Sequence, residues 1–102
     1  MKDRRSYKRS EIDPFDLRYC LEFKVNGKGY QCSILDRSPR GVGMLVFDNE
    51  AELLDRLKVG DQIQMTFSTP EGGQPMDFRV THITPFKADS LGAYYHVGLC
   101  IS

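Results

Sequence analysis

The chain has 102 residues, 40% of them apolar, and its 14 lysine and arginine residues balance 14 aspartate and glutamate residues. This length suits one domain with a core of its own and leaves no room for a second core. A net charge of zero argues against general binding of DNA or RNA, which needs a broad basic surface. No apolar run approaches the roughly 18 residues of a membrane span, and the three cysteines lack the CxxC spacing of a zinc site. We therefore expect a soluble, cytoplasmic protein with reduced thiols, no membrane insertion, no metal and no cofactor.

The positive charge is concentrated in residues 1–10. Five basic residues and one acidic residue give this segment a net charge of +4, so residues 11–102 carry −4. The charged start is not followed by the apolar stretch of a secretory signal peptide. The sequence predicts a flexible basic arm over residues 1–14, followed by a single folded domain over residues 15–102. The basic residues of the arm are Lys2, Arg4, Arg5, Lys8 and Arg9.

A strict alternation of apolar and polar residues begins at Phe15 and continues to Val25, which predicts a half-buried first strand. Asn26-Gly27 is the favoured dipeptide of a two-residue type I′ turn, so the second strand returns beside the first. This register places Cys20 on the face opposite Cys32, which excludes a disulfide between them. The pairs expected across the hairpin are Phe23 with Tyr30 and Leu21 with Cys32.

The second strand leads into a polar turn at residues 36–41. The carboxylate of Asp36 only accepts hydrogen bonds, so it suits the N1–H and exocyclic amine of guanine, which are both donors. Arginine side chains match the O6 and N7 acceptors on the other edge of the base. Arm and turn together supply groups for both edges of guanine. Taken alone, Ser38 and Gly41 also fit an ordinary turn, in which the hydroxyl satisfies backbone groups and the glycine takes a positive φ.

The next segment, residues 42–47, is almost entirely apolar and predicts a buried third strand. Gly41 and Gly43 would ease its bend. Asn49 can cap a short helix, with Glu52 three residues later, where its side chain can bond back to the backbone N–H of the cap residue. Gly60-Asp61 is expected to end that helix.

Alternating apolar residues predict three more strands, at 63–67, 76–80 and 95–101. Turn-forming residues predict loops at 69–75 and 85–93. Ile83 breaks the alternation, which suggests a bulge near His82. Six short strands and one brief helix indicate an all-β antiparallel barrel.

No arrangement of residues indicates an enzyme. The histidines, His82 and His96, have no spacing to a cysteine or carboxylate cluster typical of zinc, so we expect ordinary strand or loop residues. Ser38 is not in a Gly-x-Ser-x-Gly elbow. Gly41 and Gly43 lack the third glycine and following helix of a dinucleotide fingerprint.

Two motifs in this strand context resemble the PilZ domain, a bacterial receptor module for cyclic di-GMP. Arg5 and Arg9 match its Arg-x-x-x-Arg motif. Asp36, Ser38 and Gly41 match its Asp/Asn-x-Ser-x-x-Gly motif. The resemblance spans nearly the whole chain. It implies a six-stranded antiparallel PilZ-type β-barrel with one short helix and a flexible basic N-terminal arm.

The resemblance also implies a role for the matched residues. Arg5 and Arg9 would hold guanine edges and phosphates, while Asp36 and Ser38 would read the other guanine from the barrel surface and Gly41 would keep the turn open. In the family, a basic residue just before the first motif arginine accompanies two stacked, intercalated ligand copies. Arg4 therefore leads us to hypothesise a ligand dimer. Weaker candidates for ligand contact are Lys8, Arg40 and Gly98.

The function implied by the resemblance is a cyclic di-GMP receptor that changes its surface for a separate, unidentified effector protein, in processes such as motility and biofilm formation. The alternative is a PilZ-like adaptor of pilus or motility assembly that binds no nucleotide. Such adaptors generally lack the motif arginines, so Arg5 and Arg9 argue against it. A small barrel that binds single-stranded nucleic acid is disfavoured by the zero net charge and the absence of Trp.

Overall fold

The computed structural model describes residues 10–13, 15–16, 18–88 and 92–102. Its strands pair antiparallel in the order β1-β3-β2-β5-β6-β7-β4, and a further pairing of β3 with β4 closes the ring. Because β1 has only two residues, the closed part is the predicted six-stranded antiparallel barrel. The elements are β1 (Ser10–Glu11), β2 (Cys20–Val25), β3 (Lys28–Ser38), β4 (Gly41–Phe47), a 3₁₀ helix (Asp48–Asp55), β5 (Gln62–Thr69), β6 (Gly72–Ala88) and β7 (Gly92–Ile101).

The hairpin of β2 and β3 has the predicted register. Asn26 and Gly27 both have positive φ, 53° and 85°, as a type I′ turn requires. The rings of Phe23 and Tyr30 lie opposite each other and stack with their centroids 5.7 Å apart. Turn chemistry and cross-strand packing therefore specify the same pairing.

The chain turns before β2 instead of continuing the strand. β2 begins at Cys20, so the predicted start at Phe15 is wrong, and Phe15 is 66% exposed. Two aspartates cause the difference. Asp13 Oδ1 accepts the backbone N–H of Phe15 at 2.9 Å, and Asp16 Oδ1 accepts that of Arg18 at 3.2 Å. Such side-chain turns occupy backbone donors that a strand would pair across the sheet.

The helix differs from the prediction in type and limits. It is a 3₁₀ helix over Asp48–Asp55, with Phe47 at the N-cap position and no side-chain hydrogen bond to the cap. The predicted cap at Asn49 is therefore wrong, and the helix ends before Gly60. Glu52 accepts a hydrogen bond from Lys28 of β3 instead of one from the backbone N–H of a cap residue.

β6 is longer than predicted, because two prolines that favoured loops in the sequence lie inside the strand. Pro75 lies where β6 pairs only with β5, and Pro85 lies where β6 pairs only with β7. A proline has no N–H to donate to a ladder, so it is tolerated where a strand has a single partner. The loops predicted at 69–75 and 85–93 are thus largely strand.

Two β-bulges lie on strands that border the same part of the barrel. The pairing of β3 with β4 shifts between Ile34 and Asp36. The pairing of β6 with β7 shifts between Val80 and His82, which confirms the bulge predicted there. A bulge changes the direction of the side chains that follow it. After their bulges, Asp36 pairs with Gly43 and His82 with Gly98, on the strand faces that do not carry the core.

An apolar core fills the barrel and includes Cys32, 4% exposed. Burial raises the pKa of the Cys32 thiol to about 12, so this side chain stays protonated at neutral pH. Cys20 and Cys100 are free thiols as well, as expected. Side chains that are at most 1% exposed in the core are Leu21, Ile34, Met44, Val46, Leu53, Met65, Phe78, Val80 and Val97.

Candidate functional site

One aspartate and two histidines meet on the outer face of the barrel. Nε2 of His96 lies 3.3 Å from Oδ2 of Asp36, and Nδ1 of His96 lies 3.1 Å from Nε2 of His82. The two imidazole rings are parallel, with 8° between their planes and 5.2 Å between their centroids. Asp36 belongs to β3, His82 to β6 and His96 to β7. A single row of contacts therefore joins three strands.

Two glycines make room for these rings. Gly43 of β4 and Gly98 of β7 lie opposite each other. A Cβ at Gly98 would lie 2.2 Å from Cε1 of His82, and a Cβ at Gly43 would lie 2.4 Å from Nε2 of His96. The imidazoles can lie this close to the backbone only because both positions are glycine. Gly98, predicted from the sequence as a weaker candidate for ligand contact, lies directly against the ring of His82 in the structure.

The expectation that both histidines are ordinary strand residues is incomplete. His82 and His96 are 14 residues apart, and His96 is 60 residues from Asp36, so no local spacing relates the three side chains. The signal that could have found them is the predicted bulge near His82, combined with the return of the last strand beside it.

The turn between β3 and β4 is shorter than the predicted turn at residues 36–41, because Asp36 and Ser38 pair with β4 as part of β3. Ser38 pairs with Gly41 around a two-residue loop, and Ser38 Oγ accepts the backbone N–H of Arg40 at 3.3 Å. Gly41 does not have a positive φ, so that explanation of the glycine is wrong. The requirement is steric, because a Cβ at Gly41 would lie 1.9 Å from the carbonyl oxygen of Leu99. Close approach of β4 to β7 selects this glycine.

β1 attaches the end of the basic arm to the same turn. Ser10 pairs with Arg37, and Glu11 pairs with Asp36. Since Arg9 is bonded directly to Ser10, the arginine motif ends one residue from a strand that borders Asp36. The arm candidates for ligand contact lie outside the described residues: Arg4, Arg5, Lys8 and Arg9.

A cleft of about 900 Å³ opens over this face and is lined by Asp36 and Arg40. Sites for small molecules have volumes of roughly 300–1,000 Å³. One wall of the cleft is aromatic: the Phe86 ring meets Tyr94 edge-on at 5.7 Å and His96 at 6.1 Å, centroid to centroid. A second cleft of about 1080 Å³ lies over β2, β5 and β6, and the described residues that line it include no motif residue.

The chemistry of the first cleft suits a planar ligand that donates hydrogen bonds. Asp36 supplies acceptor oxygens that are partly shielded from water, with its side chain 21% exposed. Aromatic and imidazole rings supply flat surfaces beside it. Within the described ranges, no three His, Cys, Asp or Glu side chains are grouped to hold a metal ion. Among the same residues, no helix has the length and apolar character to cross a membrane.

A closed six-stranded antiparallel barrel with a cleft on its outer face defines the class of small antiparallel β-barrel domains. The family model described as the PilZ domain matches residues 3–101. The chain belongs to the PilZ domain family, which confirms the resemblance seen in the sequence. No curated protein sequence matches the chain.

Solved structures of PilZ proteins share this fold. The MrkH–c-di-GMP complex of K. pneumonia has a TM-score of 0.80 at 17% identity, over 99% of this chain and 45% of that one. The PilZ domain with c-di-GMP of YcgR from Escherichia coli has a TM-score of 0.73 at 18% identity, over 97% of this chain and 78% of that one. PlzA of Borreliella burgdorferi, also in complex with c-di-GMP, has a TM-score of 0.64 at 7% identity, over 92% of this chain and 43% of that one. The chain therefore spans less than half the length of MrkH and PlzA.

Proposed function

We propose that the chain is a receptor for cyclic di-GMP, which it binds between its basic arm and the Asp-x-Ser-x-x-Gly motif at residues 36–41. Binding changes the surface of the barrel for a separate effector protein. The observation that carries this proposal is the pairing of Glu11 with Asp36. The pair places Glu11, which follows the arginine motif by two residues in the chain, beside Asp36 at the edge of one cleft. The solved complexes of MrkH, YcgR and PlzA with c-di-GMP support the choice of ligand.

The two motifs divide the recognition of guanine between them. Asp36 accepts from N1–H and the exocyclic amine of one base, and the Ser38 hydroxyl adds a polar contact. Arg5 and Arg9 bind the O6 and N7 acceptors and the phosphates, because a guanidinium presents paired donors to paired acceptors. Gly41 lets the start of β4 lie against β7.

The energetics require the parts to act together. Fixing the backbone of the five residues 5–9 costs about 5–10 kcal/mol. A good bidentate arginine contact returns about 1–3 kcal/mol, and stacking adds about 1–3 kcal/mol per base. The contacts of one arginine alone do not offset the free-energy cost of ordering the arm. The ordered arm and the bound nucleotide together form a surface that the ligand-free protein does not present to a partner.

A calorimetric titration tests the proposal, with cyclic di-GMP as ligand and GTP and linear di-GMP as controls. We expect saturable heat with the cyclic dinucleotide and much weaker binding of both controls. Absence of heat and of any rise in melting temperature with excess cyclic di-GMP would contradict the proposal and favour an adaptor that binds no nucleotide. Binding of oligonucleotides with a steep salt dependence would instead indicate a nucleic-acid-binding barrel.

A further inference from the structure

The contacts of His96 define one direction of hydrogen-bond donation. An ionised Asp36 can only accept, so Nε2 of neutral His96 carries the proton in the 3.3 Å contact. Nδ1 of His96 is then an acceptor, and Nε2 of His82 donates to it across 3.1 Å. The hydroxyl of Thr81 lies 3.5 Å from Nδ1 of His82, where it can donate to the remaining nitrogen. Each group thus donates toward Asp36.

We propose that His96 is a positioning residue that sets the orientation of the Asp36 carboxylate for guanine, and that His82 fixes the tautomer of His96. This inference rests on the proposed function. The torsion that rotates an aspartate carboxylate has a broad energy profile, so each hydrogen bond to one of its oxygens narrows the range of orientations that Asp36 samples. The bond from His96 to Oδ2 restricts that rotation. It uses one of about four lone-pair sites of the carboxylate, so it is compatible with a ligand that donates to the same group.

The surroundings hold His96 in the orientation that this role needs. Its side chain is only 16% exposed. Gly43 lies under the ring at a distance that no other residue type would permit, and the ring of Phe86 lies 6.1 Å away, centroid to centroid. The parallel ring of His82 meets the edge that carries Nδ1. An outer partner that fixes both the tautomer and the direction of a histidine is a common way to orient the group that the histidine contacts.

The consequence is selectivity between purines. Guanine donates from N1–H and from its 2-amine, whereas hypoxanthine keeps N1–H and lacks the amine. A carboxylate held in the plane of the base serves both donors of guanine, and a rotated one loses the second bond. The ratio of the dissociation constants for cyclic di-IMP and cyclic di-GMP therefore measures how well Asp36 is oriented. A general loss of folded protein weakens both ligands equally and leaves the ratio unchanged.

Two substitutions at His96 separate positioning from packing. His96→Phe keeps a ring over Gly43 but removes both nitrogens. His96→Gln keeps a donor close to the position of Nε2. We expect His96→Phe to weaken cyclic di-GMP binding by about tenfold and to reduce the selectivity ratio by a similar factor, as loss of one charge-assisted bond implies. His96→Gln should restore the ratio to within about threefold of the wild-type value.

The outcomes distinguish this inference from the proposed function. Equal weakening of both dinucleotides in His96→Phe, which leaves the ratio of dissociation constants unchanged, would overturn the positioning role while leaving the proposed receptor function intact. Failure of the wild-type protein to bind either dinucleotide would overturn the receptor function. Nitrogen-15 NMR of the ligand-free protein tests the row of contacts independently. It should show both imidazoles protonated at Nε2 and not at Nδ1, and protonation of His96 at Nδ1 alone would contradict the assigned direction.

Discussion

Glu11 of β1 lies opposite Asp36 of β3 in an antiparallel pair. Arg9 precedes Glu11 by two residues in the chain. An extended chain advances about 3.3–3.6 Å per residue, so a few residues before Ser10 are enough to bring both motif arginines within reach of the cleft. The proposed receptor function depends on this short connection, because a longer linker would lower the effective concentration of the arginines near Asp36.

The first prediction concerns the two motifs. Arg5→Ala, Arg9→Ala and Asp36→Ala should each weaken cyclic di-GMP binding at least about tenfold, because a lost charge-assisted hydrogen bond contributes about 1.5–3 kcal/mol. Isothermal titration calorimetry measures the effect.

Matched controls are available on other parts of the barrel. Arg56 is exposed after the 3₁₀ helix, and Asp77 is exposed on β6 opposite Gln64 of β5. Arg56→Ala and Asp77→Ala change charge by the same amounts as the motif variants and should leave the affinity unchanged. Unchanged affinity in Arg9→Ala would count heavily against the proposed ligand site. Equal losses of affinity in the control variants would show that the change in net charge alone explains the effect.

Much of the barrel could be predicted from local signals. Asn26-Gly27 fixes the first hairpin, and alternation over residues 95–101 identifies β7, because each pattern reports directly on a turn or a buried face. The errors arose where a local signal competes with tertiary pairing. Asp13 and Asp16 form turns within an alternating segment, and Pro75 belongs to a strand because that stretch of β6 has a single partner.

The candidate site could be predicted only in part. Asp36 belongs to a contiguous motif, so the sequence identifies it directly. His82 and His96 reach Asp36 through a bulge, a long hairpin and the closure of β4 onto β3. Those relationships depend on the register of several strands at once, and no short pattern encodes them. The steric reason for Gly41 likewise depends on how closely Leu99 approaches from β7.

Gly41 gives a prediction about stability. Gly41→Ala places a Cβ against the backbone carbonyl of Leu99, which cannot move aside as a flexible side chain would, so we expect a loss of about 3 kcal/mol in the free energy of unfolding. Gly29→Ala is the control, because a Cβ there meets nothing within 4 Å and Gly29 has no positive φ. That variant should change stability by less than about 1 kcal/mol. Similar urea midpoints for the two variants would contradict the close approach of β4 and β7.

Cys32 gives a prediction about alkaline pH. Its pKa is raised from 9.0 to about 12 by burial, so the thiol of the unfolded chain ionises while that of the folded chain remains neutral. The unfolded state then binds fewer protons, and stability falls as pH rises. Between about pH 9 and pH 12, the free energy of unfolding should decrease by about 1.4 kcal/mol per unit more steeply than in Cys32→Ala. Equal slopes in urea titrations of the two proteins would show that Cys32 is not shielded.

Arg4 gives a prediction about stoichiometry. If the residue before the motif arginine selects an intercalated ligand dimer, calorimetry of the wild-type protein should saturate at two nucleotides per chain. Arg4→Leu should saturate at one, because an apolar residue at this place in the family accompanies a single copy. One nucleotide per wild-type chain at saturation would refute the ligand dimer without affecting the receptor function.

Hydrogen exchange read by mass spectrometry tests most directly whether the arm closes over Asp36 around the nucleotide. With cyclic di-GMP at a concentration that just saturates the wild-type protein, we predict slower exchange in two separate segments at once, residues 1–13 and residues 34–44, and a clearly smaller change in Arg9→Ala under the same conditions. Slower exchange in residues 34–44 while residues 1–13 stay unchanged, or no change in either segment at saturation, would contradict the account.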